Sequence, residues 1–314
     1  MNEKAWVSFC ISTYRRPDLL RQQIASLLKQ TFTNFMIIIS DNDPQASAQP
    51  IASEFADPRV KYYHNQDNLG MVKSFNLSIS RAVSDYIVMV TDDDPVENKF
   101  LEIAHELWES DPNKTIYCGF LRNGKKEGEV ENIGRENFAS EILDTDRTKS
   151  ILWSSSVMLK SAMEEVGLMP DYGSPHLADH ALIAMVGSIG GGLVKNRMYS
   201  SLTSHNTNFS KAHIDVYYSG CKGFYDKMHQ FQLEKTYVKG VMPVVKKHLG
   251  VWFIGSFFIL KKYYTIQRPD PDVLKEIDAF ALQILELPFM KSFALKFFAK
   301  RFIFMLKKNL RLLK

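Results

Sequence analysis

The chain has 314 residues, of which 45% are hydrophobic and 24% are charged. This balance is typical of a globular protein with a sizeable core, and the length allows one large α/β domain with an additional subdomain. The three cysteines, Cys10, Cys118 and Cys221, show no ligand-like spacing, which argues against a disulfide-built framework. Their odd, sparse count favours reduced, buried thiols in a cytosolic protein.

The charge is unevenly distributed along the chain. The net charge is +4, and residues 291–314 contain eight basic and no acidic residues, so residues 1–290 carry 4 − 8 = −4. A mildly acidic body with a strongly basic end argues against nucleic-acid binding over the whole chain and indicates one local anionic partner. The first residues show no signal-peptide pattern, and the most apolar stretch, residues 251–260, is predicted to be too short to cross a bilayer on its own.

Strand and helix patterns alternate over the first 120 residues. Strands are predicted at residues 6–12, 35–40, 60–64, 86–90 and 115–119, and helices at residues 17–30, 70–82 and 98–110. Continuously apolar strands that alternate with helices indicate an α/β fold with a mainly parallel sheet covered on both faces.

The chain changes character after residue 120. Residues 123–148 are polar and charged with several glycines, which predicts a mobile loop region. Apolar patterning resumes at residue 151, and from about residue 211 the sequence predicts helices rich in Phe, Tyr, Leu and Lys.

Polar residues directly follow three of the predicted strands. The first strand leads into Ser12, Thr13, Tyr14, Arg15 and Arg16, the second into Asp41, Asn42 and Asp43, and the fourth into Thr91, Asp92, Asp93 and Asp94. In an open α/β sheet the ligand binds beyond the carboxyl ends of the strands. We therefore expect these side chains to line one binding edge.

The acidic run of Asp92, Asp93 and Asp94 predicts a metal site. Clustered carboxylates repel one another unless a cation offsets their charge, and hard oxygen ligands select Mg²⁺ or Mn²⁺. Such an ion, bound also to a diphosphate, would stabilise the charge of a departing nucleotide. The alternative is a solvated acidic turn at the N-terminus of the following helix.

Two further segments are candidates for nucleotide binding. Asp41, with Asn42, could accept a hydrogen bond from a base imide or a ribose hydroxyl, although the same residues are also typical of a turn. Asn68 and Gly70 open a helix whose N-terminus favours anions, and Lys73, one turn later, could reach a phosphate.

These motifs together resemble glycosyltransferase family 2, the inverting enzymes of the GT-A fold. The matching segments are VSFCISTYRRP at residues 7–17, SLLKQTF at 26–32, ISDN at 39–42, NLG at 68–70 and DYIVMVTDDD at 85–94. The resemblance implies a GT-A domain over residues 1–210, with a Rossmann-like nucleotide-sugar-binding half (1–120) and an acceptor half (121–210). A helical C-terminal region (211–314) follows.

The resemblance also implies roles for single residues. Ser12 and Tyr14 would line the nucleotide pocket, Asp41 or Asn42 would contact the base, and Lys73 would stand near the diphosphate or the base. The family's metal-binding Asp-x-Asp pattern falls on Thr91 and Asp93 at its two acidic positions. Asp93 would therefore be the surest metal ligand and Asp92 a ribose or secondary contact. Asp94 matches a frequent trailing acid near the metal.

Two downstream residues complete the implied site. Asp179 falls where the family has its catalytic base, and the alternative role is that of a helix cap. The neighbouring His180 is predicted to face away from Asp179 on the helix. His205 falls where related enzymes often have a histidine near the metal or diphosphate, and the alternative is a surface-loop histidine.

The C-terminal residues predict contact with an anionic membrane surface. At 100° per residue, the basic side chains of residues 291–314 cluster on one narrow face beside a wide apolar face, an arrangement that suits the headgroup region of a bilayer. The alternative is a terminal helix docked on the protein's own core. Membrane contact would place the chain on the cytosolic leaflet, where lipid-linked sugar acceptors are displayed.

The predicted function is metal-dependent, inverting transfer of a sugar from a nucleotide-sugar donor to a glycan or lipid-linked acceptor in cell-surface polysaccharide synthesis. One alternative is a nucleotidyltransferase, which should carry a Gly-rich loop after the first strand, where this chain has no glycine. Another is a membrane-docked, non-catalytic nucleotide-sugar-binding subunit.

Overall fold

The computed structural model describes residues 4–201 and 215–310 of the chain. The first strands are β1 (Val7–Thr13), β2 (Phe35–Asp41), β3 (Val60–His64), β4 (Tyr86–Val90) and β5 (Ile116–Gly119). The helices among them are α1 (Pro17–Leu27), α2 (Gln49–Glu54), α3 (Met71–Arg81) and α4 (Phe100–Ser110). Every strand and helix predicted up to residue 119 is present, and only the short helix α2 was not predicted.

The chain after Gly119 forms regular elements as well. They are β6 (Leu121–Arg122), β7 (Val130–Ile133), α5 (Phe138–Leu143), β8 (Thr148–Ser150), β9 (Ser156–Leu159), α6 (Lys160–Glu165), α7 (Ala178–Gly190) and β10 (Gly192–Lys195). The prediction of a mobile loop region over residues 123–148 is therefore wrong. Its charged side chains pair inside the structure: the buried guanidinium of Arg122 lies 2.8 Å from Glu131 and 3.0 Å from Glu141. Pairing removes the need for these charges to face water.

The C-terminal region is helical, as predicted. It contains α8 (Tyr217–Glu234), α9 (Val241–Lys262) with a π-helical turn (Tyr263–Gln267), α10 (Pro271–Glu286) and α11 (Ala294–Asn309). Asp270 caps α10, because its carboxylate accepts hydrogen bonds from the backbone N–H groups of Asp272 and Val273. The predicted boundary near residue 210 lies outside the described residues and stays a prediction.

Within the described residues, an eight-stranded sheet organises the fold, with the strand order β3-β2-β1-β4-β9-β5-β10-β7. β1 pairs in parallel with both β2 and β4, and β5 pairs in parallel with β10. β9 is antiparallel to its neighbours β4 and β5, and β7 is antiparallel to β10. The prediction of a mainly parallel sheet is confirmed, and the carboxyl ends of β1, β2 and β4 form one edge.

Each face of the sheet has its own apolar core. Along β1, Phe9 packs on the side of α1, α2 and α4, whereas Cys10 packs on the side of α3 and α7, because successive strand residues point to opposite faces. The second core continues into the C-terminal helices through residues such as Phe253 and Phe297. The C-terminal helices therefore share one core with the sheet, α3 and α7 and are not an appended tail.

All three cysteines are free and buried, as expected from their spacing. Cys10 lies in β1, Cys118 in β5 and Cys221 in α8. Burial raises the pKa of all three thiols, that of Cys10 to about 12. The thiolate, which is the nucleophilic form, is thus strongly disfavoured at each position.

In the described part of the chain, one helix is long and apolar enough to cross a membrane. α9 and its π-helical turn run without a break over Val241–Gln267, 27 residues. The apolar stretch of residues 251–260 is too short on its own, as predicted, but the helix that contains it extends beyond it on both sides. Length and composition alone are weak evidence, and 44% of the most apolar window is buried inside the protein. Phe253 and Phe257 place this helix in the core.

Candidate active site

The adjacent strands β1 and β4 bring a basic and an acidic segment together at the carboxyl edge of the sheet. The Thr13 hydroxyl donates a hydrogen bond of 2.8 Å to Asp92. A single nitrogen of Arg16 lies 3.1 Å from an oxygen of Asp92 and 3.0 Å from an oxygen of Asp93. Two carboxylates therefore converge on one positive group.

Burial shapes the electrostatics of this acid pair. It raises the pKa of Asp92, while Arg16 and the Thr13 hydroxyl act in the opposite direction. Asp94 is also buried, and its backbone carbonyl accepts a hydrogen bond of 2.8 Å from Gln23 of α1. The acidic run is thus held to the sheet and to α1. A metal cation bound here, in addition to the Arg16 guanidinium, would favour the charged form of Asp92.

The donor set fits a divalent cation that is shared with a ligand. The hydroxyl oxygen of Thr91, at the first position of the family's acidic pattern, is buried and has no hydrogen-bond partner among the described residues. Within residues 4–201 and 215–310, no group of three or more His, Cys, Asp or Glu side chains is arranged to hold a metal ion by itself. Mg²⁺ is typically held by one or two carboxylates, with phosphate and water oxygens in the other positions. Asp92 and Asp93 match that arrangement.

Asp41 lies at the end of β2 and is fully buried. Its carboxylate accepts hydrogen bonds from the backbone N–H groups of Asp43 (3.1 Å) and Ala48 (2.9 Å) and from the Tyr62 hydroxyl (3.0 Å). These bonds fix the turn after β2, which is the turn alternative considered for this residue. Its contact with a nucleotide base stays a prediction.

Asn42 connects the loops that follow β2 and β3. Its amide donates a 2.7 Å hydrogen bond to Asn68, and its carbonyl oxygen accepts one of 3.0 Å from the backbone of Leu69. Gly70 has φ +78°, a backbone conformation that residues with a side chain rarely adopt. Its N–H donates a 3.0 Å hydrogen bond to the Asn68 side chain. The structure thus brings Asn42, Asn68 and Gly70 together at the edge of the sheet.

Ser12 joins the same cluster, whereas Tyr14 and Lys73 face outward. The Ser12 hydroxyl donates a 2.7 Å hydrogen bond to Ser74 of α3. Tyr14 is exposed, and the Arg15 guanidinium lies 5.0 Å from the centre of its ring. Lys73 is exposed in the first turn of α3. An exposed aromatic ring and an exposed cation beside a polar edge suit a base and a phosphate.

Asp179 lies in the first turn of α7, after Leu177, whose φ is +63°. α7 leads into β10 across Gly191, and β10 is parallel to β5. The C-terminal end of α7 is therefore at the amino edge of the sheet, and its N-terminal end is at the carboxyl edge, together with Asp92 and Asp93. Two distant sequence segments thus meet at one edge.

The prediction that His180 faces away from Asp179 is wrong. Nε2 of His180 lies 3.9 Å from a carboxylate oxygen of Asp179. In the first turn of a helix, side chains can fold around the open N-terminal end, so consecutive residues are not held on separate faces there.

His205 lies outside the described residues, and its predicted role stays a prediction. Ser200 and Ser201 contact the segment that directly follows the acidic run. Val96 and Ser200 form an isolated antiparallel bridge, and the N–H of Ser201 donates to the carbonyl of Pro95 at 3.3 Å.

Comparison with known proteins decides the family. Residues 8–166 match the family model described as Glycosyl transferase family 2, which is just over half of the 314-residue chain. The chain belongs to glycosyltransferase family 2. The predicted fold class is confirmed with it.

Similar curated proteins carry glycosyltransferase names. An uncharacterized glycosyltransferase of Rickettsia bellii is 26% identical over 53% of this chain and 24% of its own length. The putative colanic acid biosynthesis glycosyl transferase WcaA of Escherichia coli is 31% identical over 30% of this chain and 34% of its own length. The chain therefore spans well under two thirds of these two relatives. A further uncharacterized glycosyltransferase, RT0329 of Rickettsia typhi, is 21% identical over 88% of this chain and 89% of its own length.

Solved structures share the fold. Staphylococcus aureus TarS 1-349 in complex with UDP-GlcNAc has a TM-score of 0.58 at 14% identity, covering 86% of this chain and 78% of that one. The mannosyltransferase PcManGT from Pyrobaculum calidifontis, in complex with GDP-Man and Mn²⁺, has a TM-score of 0.50 at 13% identity, covering 95% of this chain and 87% of that one. At these identities the likeness concerns the fold alone.

Three residues of the candidate site were given no individual role from the sequence, although Thr13 and Arg16 were expected at the binding edge. Thr13 and Arg16 contact the acidic run directly. The sequence signal for them is a hydroxyl at the end of β1 and a basic residue shortly after it, because β1 lies beside β4. His248 of α9 contacts His180, and the two are 68 positions apart. No local pattern links residues at that separation, so only the fold reveals this contact.

Proposed function

We propose that the chain is a metal-dependent, inverting glycosyltransferase that moves a sugar from a UDP-sugar to a hydroxyl group of a glycan or lipid-linked acceptor in cell-surface polysaccharide synthesis. One observation carries the proposal: two carboxylates, Asp92 and Asp93, share the cationic group of Arg16 at the edge of the sheet where α7 presents Asp179. Family membership, the names of the curated relatives and the UDP-GlcNAc complex of TarS support it.

In the proposed reaction, Asp179 is the general base. Its carboxylate takes the proton of the acceptor hydroxyl while that oxygen attacks the anomeric carbon from the side opposite the leaving diphosphate. A single displacement of this kind inverts the configuration of the anomeric carbon. Ser12, Tyr14, Asn42 and Lys73 would hold the nucleotide at the edge of the sheet.

Asp93 would hold the cation, Mn²⁺ or Mg²⁺, with Asp94 and His205 as further candidate ligands. Asp92, which the resemblance assigns to a ribose or secondary contact, shares Arg16 with Asp93 and is proposed here as a metal ligand as well. The ion would offset the negative charge that builds up on the departing nucleotide diphosphate. Thr13 and Gln23 keep the acidic run in place through their hydrogen bonds to Asp92 and to the Asp94 carbonyl. The complex of PcManGT with GDP-Man and Mn²⁺ is consistent with such an ion.

The decisive experiment is a donor panel. Binding of UDP-, GDP- and TDP-sugars is measured by calorimetry with Mn²⁺, with Mg²⁺ and with EDTA, and release of the nucleotide is followed in parallel. We expect metal-dependent binding of a UDP-sugar, lost in Asp93→Asn and retained in Asp18→Asn, an exposed acid of α1. If no nucleotide sugar binds in the presence of either metal, the proposal is wrong.

The proposed setting is the cytosolic face of a membrane, with residues 291–314 as the contact. α11 rests on the protein through Phe297, which is fully buried and lies 5.5 Å from Phe253 between ring centroids, and through an ion pair of 3.2 Å between Arg301 and Asp278. Docking on the core, the alternative considered from the sequence, thus accounts for one side of this helix.

The opposite side of α11 is apolar and exposed. Its exposed apolar residues are Leu295, Phe298, Phe302, Ile303, Met305, Leu306 and Leu310. At 100° per residue they form one arc of about 160°, and Lys296, Lys300 and Lys307 follow along one flank of it. An apolar arc beside lysines matches the boundary between acyl chains and anionic headgroups.

Vesicle binding tests this setting. Sedimentation with vesicles of phosphatidylcholine containing phosphatidylglycerol is compared with sedimentation with phosphatidylcholine alone. We expect binding only to the anionic vesicles and a loss of roughly 10-fold in Phe302→Glu. Leu233→Glu on α8 is the matched control, because Leu233 is also apolar and exposed but belongs to a different helix. Equal losses in both variants would contradict a specific role of α11.

A further inference from the structure

A chain of polar contacts runs from α5 through α9 to the candidate base. Nδ1 of His248 lies 2.9 Å from the backbone carbonyl oxygen of Leu143, at the end of α5. Nε2 of His248 lies 2.9 Å from Nδ1 of His180, and Nε2 of His180 faces Asp179 at 3.9 Å. Three helices and the candidate base are therefore connected through two imidazole rings.

The hydrogen positions along this chain follow from the contacts. A carbonyl oxygen only accepts, so Nδ1–H of His248 donates to Leu143. Burial, together with the nearby His180, lowers the pKa of His248 to about 3, so this ring is neutral and its Nε2 is a bare acceptor. Nδ1 of His180 must then donate to it. In its neutral form, His180 therefore presents a bare Nε2 to Asp179.

The distance between His180 and Asp179 agrees with this assignment. A bare imidazole nitrogen and a carboxylate oxygen are both acceptors and cannot form a hydrogen bond, and 3.9 Å lies beyond hydrogen-bond range. Once the Asp179 carboxylate has gained a proton, it becomes a donor for that nitrogen. A small rotation of the carboxyl group, or one bridging water, then closes the contact.

We infer that His180, held by His248, is a positioning and proton-accepting partner of Asp179. In the first step, the acceptor O–H bond breaks and an O–H bond forms on Asp179. In the second, that O–H bond breaks and an N–H bond forms at Nε2 of His180, which becomes an imidazolium beside the restored carboxylate. His180 is only partly buried, so the proton can pass on to water. The inference rests on the proposed role of Asp179.

Through His248, the C-terminal helices contribute to the site. His248 is buried in α9 and belongs to the core that this helix shares with α7. Without it, the ring of His180 can rotate, and the bare nitrogen no longer has a fixed direction. The C-terminal region would thus take part in turnover without contacting the substrates.

Three variants of the full chain test the inference. His180→Asn keeps an N–H near the place of Nδ1 but has no atom in the place of Nε2. His248→Gln keeps an acceptor oxygen near the place of Nε2, and His248→Phe removes it at similar size. The reaction is hydrolysis of the nucleotide sugar that binds best in the donor panel, with water as the acceptor. Donor affinity and the thermal midpoint of each variant are measured alongside.

We expect kcat to fall roughly 10- to 100-fold in His180→Asn and His248→Phe, with donor KM unchanged, and to recover most of the loss in His248→Gln. A purely structural role would lower donor affinity or stability together with kcat and would show no such rescue. Wild-type kcat in His180→Asn and His248→Phe would overturn the inference.

A measurement on the unmutated protein keeps the test decisive if a variant fails to fold. Nuclear magnetic resonance of the ¹⁵N-histidine-labelled chain reports which ring nitrogen carries hydrogen. We expect Nδ1–H on both His180 and His248, and Nε2–H on neutral His180 would contradict the inference. Asp179→Asn separates the two failures. If it retains hydrolysis, the proposed base is wrong, and if only Asp179→Asn is inactive, the inference alone fails.

Discussion

The two parts of the candidate site are assembled in different ways. In the first 120 residues, the site consists of residues at the ends of strands or shortly after them, such as Thr13 at the end of β1 and Asp92 after β4, and strand pairing alone brings them together. Asp179 comes from a helix start, and its neighbour His180 is held by His248 from the C-terminal region. One part depends on sheet register and the other on helix packing.

This difference predicts what a substitution in each part of the site should change. A change in the first part should alter the local charge balance and leave the fold of the sheet intact. In the second part, a substitution at a packing contact of α7 should displace Asp179, even when the substituted residue is far from it. Substitutions in each part can test this contrast, and the largest effect is expected at the base itself.

Asp179→Asn should lower turnover by about 1,000-fold while donor binding stays unchanged, because general-base catalysis contributes 100- to 10,000-fold. The cap position of α7 is Leu177, so the helix-cap role considered for Asp179 from the sequence is wrong. Asparagine has nearly the same size and shape as aspartate, so the fold should be preserved. Steady-state kinetics and donor calorimetry make the test, with Glu164→Gln of α6 as an exposed control. Unchanged turnover in Asp179→Asn would remove this residue from the mechanism.

Gly187→Ala should destabilise the protein by about 2 kcal/mol and lower kcat as well. A Cβ at Gly187 would lie 2.1 Å from the ring of Phe138, so α7 would have to move away from α5 and carry Asp179 with it. Gly255 of α9 is the matched control, because a Cβ there meets no atom within 4 Å among the described residues. Gly255→Ala should be stabilising by about 0.5–1 kcal/mol. Chemical denaturation of both variants makes the measurement.

If Gly187→Ala lost stability but kept full kcat, the base would not depend on helix packing. The contrast between the two parts of the site would then fail. Equal stability changes in the two glycine variants would contradict the close contact itself.

Arg16→Gln should lower stability by roughly 1–2 kcal/mol in EDTA, because two carboxylates then face each other without a cation and the Arg16 side chain is partly exposed. The same variant should bind Mn²⁺ more tightly, since the guanidinium no longer competes for these oxygens. Thermal unfolding with EDTA and with Mn²⁺ measures both effects.

The neighbouring Arg15→Gln is the control for this prediction. Arg15 is more exposed and pairs at 3.2 Å with Asp43 outside the acidic run. Its substitution should change neither quantity appreciably. A Mn²⁺ response of Arg16→Gln equal to that of the wild type would show that the arginine and the metal do not share a site.

The sequence predicted the first part of the molecule well because its signals are local. Three consecutive isoleucines, Ile37, Ile38 and Ile39, indicate a strand that is buried on both faces, and the structure has them in β2. Polar residues at strand ends point to the binding edge in the same way. The short helix α2 was not predicted, because six residues with a proline among them show little helical periodicity.

The sequence failed where distant residues compensate each other. The charges of residues 123–148 are typical of a solvated loop, yet Arg122 is buried between Glu131 and Glu141. The position of His180 was predicted from helix periodicity, which does not hold in a first turn. Its partner His248 could be found only once the packing of α7 and α9 was known.

The buried thiols make the chain its own probe of local opening. Cys10 reports on the middle of the sheet, Cys118 on β5, and Cys221 on the C-terminal helices. Because burial disfavours all three thiolates, alkylation of each requires its surroundings to open first. The alkylation rates of the three single sites can therefore tell whether the C-terminal helices, among them the one that carries His248, open before the sheet does.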